Sequence, residues 1–176
     1  PVILRVLFVD LADANRLAGI SERMLIVGPV VLVLYYFWGR LYSNESTRVP
    51  ALIHQWTGGF IMLALLETEF GASQCGLGWA LFVAVLMFAG VLGNVRDLRV
   101  QSCTVALATL VLALWNNLFG QADVVSDSAV IAALYASAWI ARGLTDYERH
   151  TAPVLSSAAS LLLATVLYNQ VSGGSE

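Results

Sequence analysis

Of the chain's 176 residues 59% are hydrophobic and only 12% charged, with a mean hydropathy of +0.76, which excludes an ordinary water-soluble domain. Soluble helices need polar faces, and the apolar runs here are too long and too uniform to supply them. The net charge of −3, with only nine basic residues, all arginine, offers no surface for nucleic acid, so the first partner expected is a lipid bilayer.

The chain opens on PVILRVLFV, about half of the ~20 apolar residues that a spanning helix needs. It lacks the order of a signal peptide, and a truncated N-terminal helix is expected there, with the whole of 1–176 a single helical membrane domain excised from a longer chain. Arg5 lies inside that stretch. A polar connector, DLADANRLAGISER, follows it.

Six further runs are long enough, or nearly so, to cross the hydrocarbon: 22–41, 49–69, 77–95, 100–119, 127–143 and 151–171. Backbone groups cannot be left unpaired in lipid, and the runs lack the alternation of barrel strands, so the class is all-α: a polytopic transmembrane bundle. In the first run Gly28-Pro29 predicts a kink, since proline removes an amide and crowds the preceding turn.

The polar turns between the runs alternate in character. Arg40 and Arg48, then Arg96 and Arg99, then Arg142 and Arg149 with His150 beside them, follow the first, third and fifth runs; ETEFGASQCG and GQADVVSDS carry acids and no basic residue. By the positive-inside rule the loops near 40–48, 96–99 and 142–150 are cytoplasmic and those near 70–76 and 120–127 external, in a multi-pass protein of a cell inner membrane. Arg16 and Arg23 in the external N-terminal connector run against this assignment, and a cysteine at position 97 labelled only from outside would overturn it. Tyr35, Tyr36, Trp38 and Tyr42, with Trp56 and Trp139, fall at inner ends, and Trp79, Trp115 and Tyr168 toward outer ends, where aromatic belts anchor helices at the headgroups.

The outer ends of the second, fourth and sixth runs read ALLETEFG, ALWNNLFG and VLYNQVSG, each a polar pair closing on Gly71, Gly120 or Gly173. A period of roughly 50 residues predicts three tandem helical hairpins, 22–71, 77–120 and 127–173, in the same membrane orientation. The glycines suit left-handed helix caps, and Asn116, Asn117, Asn169 and Gln170 suit hydrogen bonds to free carbonyls or to a neighbouring helix. A sharper alternative is a shared external polar site in which Glu67, Glu69, Asn116 and Asn169 converge. Ala132-x-x-x-Ala136 and Ser156-x-x-x-Ser160-x-x-x-Ala164 predict close approach of the fifth and sixth helices, and Gly90 and Gly93 close packing of the third.

No zinc-protease, P-loop, dinucleotide or nucleophile-elbow motif occurs, so no catalytic residue, cofactor or metal ligand is assigned. Cys75 and Cys103 lie at opposite membrane ends, too far apart for a disulfide. His54, in ALIHQWTGG, is an ionisable residue inside a span and therefore a candidate for a polar or transport site; Glu67 is a second, thirteen residues further on and roughly 20 Å away on the same helix. His54 is read first as a partner for a neighbouring helix.

RVLFVDLADANRLAGISERML and LYNQVSGG resemble two segments of a bacterial family of large multi-spanning membrane proteins, domain of unknown function 2339. Val9 stands where that family more often has an aromatic residue before Asp10, and the connector lacks its Tyr-Arg. The resemblance implies a longer helical membrane protein of which this is one portion, and carries no catalytic residue with it. The expected function is a structural or partner-packing membrane module, joined to the remainder of its chain or to membrane protein partners. The alternatives are a segment of a transporter or channel lined by His54, Glu67 and the helix-end amides, and a membrane-embedded enzyme acting on lipid or cell-envelope sugar through Glu67, Glu69 and Asp123.

Overall fold

The computed structural model describes residues 16–17, 20–42, 45–118, 123–142 and 151–173, so the expected N-terminal helix, Arg5, Asp10, Gly120, Arg149 and His150 lie outside the described residues. Six helices are long and apolar enough to cross a membrane: α1 (Glu22–Leu41), α2 (Glu45–Gly71), α3 (Gln74–Leu92), α4 (Arg96–Leu118), α5 (Val124–Arg142) and α6 (Ala152–Val171). Ahead of them Arg16–Leu17 pairs with Ile20–Ser21 in a two-residue antiparallel ladder. Four of the six begin three or four residues earlier than the apolar runs predict. Arg96 and Asp97 open α4, and Asp123 caps α5 by accepting from Ser126 N–H, so polar first-turn and cap residues extend these helices beyond the apolar runs.

The acidic stretch expected to be a loop is helical. Residues Arg48–Leu92 form one helical run interrupted at Gly71, whose φ of 72° and ψ of 172° lie in a region open to glycine alone. Glu67 to Phe70 are all compatible with helix, so only the glycine breaks it. In α1, by contrast, Pro29 sits inside a helix that runs unbroken, helped by Gly28, which has no Cβ to meet the proline ring.

The chain forms two compact units, Pro1–Glu69 and Phe70–Glu176. In the first, Val27, Val31 and Leu34 of α1 pack on Ile61 and Leu65 of α2, with Trp38 continuing the stripe at the same four-three spacing. Trp38 is buried against Tyr42, at a centroid distance of 5.5 Å, rather than standing out as an interfacial anchor. Trp115 and Trp139 do stand exposed.

In the second unit α4 packs on both α5 and α6, and its buried residues include Arg99, Gln101, Ser102, Thr109, Asn116 and Asn117. Ser102 donates to the Val83 carbonyl of α3 at 2.9 Å, and Thr109 donates to its own helix at Val105 O, 2.7 Å. α5 and α6 approach closely, as predicted, but mostly not through the predicted small residues: Ser156 is half-buried, while Ala132, Ala136, Ser160 and Ala164 are exposed. The helices bury Leu134, Ala138 and Ala141 and, from α6, Ala152, Leu155, Ala159 and Leu162 instead. The buried faces are still rich in small residues, Ser137, Ala138 and Ala141 on α5 and Ala152, Ala158 and Ala159 on α6, so the small packing face is present but rotated from the predicted one. Tyr135 and Ser160 still share a hydroxyl contact of 2.9 Å.

The α3–α4 turn is closed by backbone geometry. Val95 N–H bonds Gly90 O at 2.8 Å and Asn94 N–H bonds Val91 O at 3.1 Å, with Asn94 at φ 49°, the paired bonds of a left-handed helix cap. Arg99, 5% exposed, folds back to donate to Gly90 O at 3.0 Å and Asn94 Oδ1 at 3.4 Å. A Cβ at Gly90 would lie 2.7 Å from Arg99 Cγ and 3.0 Å from its backbone nitrogen, so the predicted tight packing at this glycine holds. Gly90→Ala is therefore expected to cost about 1–3 kcal/mol in a denaturant titration of micelle-embedded protein. Gly39→Ala, where nothing lies within 4 Å of the new methyl, is expected to gain about 0.5–1 kcal/mol.

Candidate functional site

The four sequence-predicted site residues fall in different units: His54 and Glu67 in the first, Asn116 and Asn169 in the second. His54 is half-buried on α2. Its Nδ1 lies 2.7 Å from Pro50 O, a carbonyl that can only accept, so Nδ1 is the donor. The ring of Phe37 on α1 lies 6.2 Å away, so the neighbouring-helix partner of His54 is an aromatic ring.

Glu67 is exposed at the far end of α2, and its companion Glu69 does the bonding there. Ser21 caps α1 by accepting from Met24 N–H at 3.1 Å and donates its hydroxyl hydrogen to the Glu69 carboxylate. Arg23 reaches the Thr68 carbonyl at 3.4 Å. A carboxylate beside the start of α1 meets the positive end of that helix, so the contact joins the two helix ends electrostatically as well as by hydrogen bonding.

In the second unit three helix ends meet in one polar cluster. Asn117, in the last turn of α4, donates one amide hydrogen to Asp127 Oδ2 at 2.8 Å and the other to Ala113 O at 2.9 Å. Its Oδ1 accepts from Asn169 Nδ2, near the end of α6, at 3.0 Å. Asp127, 3% exposed, sits in the first turn of α5, whose cap is Asp123: Asp123 Oδ2 accepts from Ser126 N–H at 3.0 Å. Asp123, a candidate acid in the enzyme alternative, thus caps a helix.

Asn117 and Asn169 do what the sequence suggests for helix-end amides, bonding the Ala113 carbonyl and a neighbouring helix, whereas the shared site expected through Asn116 forms at Asn117, with Asn116 buried one residue away on α4. One residue is a rotation of about 100° on a helix, so the pair NN by itself does not say which amide faces inward. Asp127 was missed. Its signal was available: an acid four residues after Asp123, inside an otherwise apolar span and on the face of Val130 and Leu134.

Chemically the cluster is a neutral-amide bridge on a carboxylate. Every hydrogen of the Asn117 amide is used, which suits holding helices together. Among the described residues no group of three or more His, Cys, Asp or Glu side chains is arranged to hold a metal ion. In comparisons with protein-family models, curated proteins and solved structures, nothing matches this chain.

Asn117→Ala is expected to destabilise the protein by about 1–3 kcal/mol, because it strands a buried carboxylate and a buried amide. Asp127→Asn, which keeps an acceptor oxygen, is expected to cost less than Asp127→Ala. Gln170→Ala, on an exposed position next to the cluster, is expected to change little. Denaturant titration of the purified protein in mixed micelles ranks the four variants.

Proposed function

We propose that the chain is a non-enzymatic integral membrane module of three tandem helical hairpins, 22–71, 77–120 and 127–173, a structural or partner-packing portion of a larger membrane protein. The observation that carries this reading is Asn117, whose two hydrogens and carbonyl oxygen are all engaged by Ala113, Asp127 and Asn169. Polar groups placed at the ends of apolar helices are used to join helices, as a packing module requires. The large exposed apolar side chains, among them Leu32, Phe60, Phe88, Val111 and Leu161, suit contact with lipid or with other membrane segments.

The same reading takes the membrane to be a cell inner membrane, with the loops near 40–48, 96–99 and 142–150 cytoplasmic and those near 70–76 and 120–127 external. The phrases shared with domain of unknown function 2339 support a longer bacterial protein as the context, whose other helices are the natural partners.

A transporter or channel segment is the second reading, favoured by one observation: Asp127, a buried carboxylate within a spanning helix. Flux separates the two. Proteoliposomes carrying the protein are expected to pass protons and potassium no faster than empty ones, with His54→Ala, Glu67→Gln and Asp127→Asn making no difference. A flux lost in any of these variants would replace the module reading by transport. In a background of Cys75→Ala and Cys103→Ser, Glu45→Cys is expected to react with an impermeant maleimide only after the cells are opened, and Gln74→Cys in intact cells; the reverse pattern inverts the topology.

A further inference from the structure

We propose that α2 carries a dimer seam: two copies of the chain pack side by side along Ile53, Thr57, Phe60 and Ala64, with the Thr57 hydroxyls meeting across a twofold axis. The proposal rests on the membrane-spanning reading above and names the partner for one face of the module. The four residues are spaced four, three and four apart, so they form one stripe of α2, distinct from the Gly58, Ile61 and Leu65 that meet α1. Ile53 is 60% and Phe60 67% exposed, with Thr57 and Ala64 half-buried beside them, so the stripe is open to a neighbour. Such spacing lets two helices interdigitate at a shallow crossing angle over several turns.

Thr57 selects a second copy as that neighbour. It lies one residue from the midpoint of the 27-residue α2, where neither water nor headgroups reach. Thr104, Thr109 and Thr165 each donate to the carbonyl four residues back, whereas Thr57 makes no hydrogen bond among the described residues. A hydroxyl left without a partner in hydrocarbon is costly. It is also both donor and acceptor, and therefore complementary to itself.

Copies of one chain share an orientation in a bilayer, so the twofold axis relating two of them runs along the membrane normal and sets like residue against like. Thr57 then finds in its counterpart the partner that its own helix does not supply. One turn further on, the small side chain of Ala64 admits close approach and leaves room for the other copy's Phe60 ring. Glu67, next along the stripe, ends the seam, because two carboxylates set against each other repel.

The test uses the full chain in a Cys75→Ala, Cys103→Ser background, labelled with donor or acceptor dye at Gln170→Cys, an exposed position, and mixed in liposomes of phosphatidylcholine and phosphatidylglycerol. Energy transfer is expected to rise with the protein-to-lipid ratio along a monomer–dimer curve. Thr57→Val is expected to weaken association by roughly three- to tenfold, while Thr57→Ser, which keeps the hydroxyl, stays near the parent. Ala64→Phe is expected to weaken it further, and Leu32→Phe, exposed on α1, to change nothing. With a lipid-soluble oxidant and no dye, Phe60→Cys is expected to form a covalent dimer and Leu32→Cys is not. Transfer no greater than random mixing of monomers would overturn the proposal. So would a Thr57→Val variant that associates as the parent does, or a Leu32→Cys variant that cross-links as readily as Phe60→Cys. A chain that does not float with the liposomes sinks the spanning reading instead.

Discussion

A polar group in hydrocarbon has no water to turn to, and the arrangement of this chain follows from that constraint. The helix richest in buried polar side chains, α4, is the one packed on both α5 and α6, with Arg99, Gln101, Ser102, Thr109, Asn116 and Asn117 all enclosed. Hydroxyls also bond their own helices, the buried Thr109 at Val105 O among them. Thr104, Ser160 and Thr165, on the outward side, donate to carbonyls four residues back on their own helices, at 3.0, 2.9 and 3.0 Å, and Ser160 also meets the Tyr135 hydroxyl. Apolar side chains are free to face either way, because burying leucine against protein in place of lipid gains only packing.

The helix ends show the constraint most clearly, because each leaves backbone groups without intrahelical partners. Three ends are served by side chains from another helix or from across a turn. Glu69 meets the cap of α1 through Ser21, Arg99 meets the closing carbonyl of α3, and Asn117 links the end of α4 to Asp127 at the start of α5. Arg99 acts across the turn between α3 and α4, Glu69 closes the end of the α1–α2 pair away from its turn, and Asn117 ties α4 to both α5 and α6.

The six spans were legible because their signal is additive: about twenty apolar residues in a row leave little else to be. Their ends were less legible, since Arg96-Asp97 and the Glu67–Phe70 segment look like loop but sit in helices. Facing was hardest to read. Ala132, Ala136, Ser160 and Ala164 have the spacing of a packing face yet point outward, and Asn117 rather than Asn116 reaches Asn169. In water a polar face marks the outside of a helix; in a bilayer the same residues mark the inside, and small residues occur on both faces here. What distinguishes them is the neighbouring helix, which the local sequence does not contain.

Gly71 has a consequence for length. A continuous helix of the 45 residues from Arg48 to Leu92 would measure about 68 Å, more than twice the hydrocarbon thickness. One residue at positive φ divides that rod, and the candidate spans on either side, Glu45–Gly71 with 27 residues and Gln74–Leu92 with 19, measure roughly 40 and 28 Å, of which the second matches the bilayer and the first exceeds it. The longer stretch must tilt, or carry its surplus turns among the headgroups, as the exposed Glu45 and Glu67 near its two ends allow. The glycine thus fixes how thick a membrane each half of the rod fits, and the two halves fit different ones.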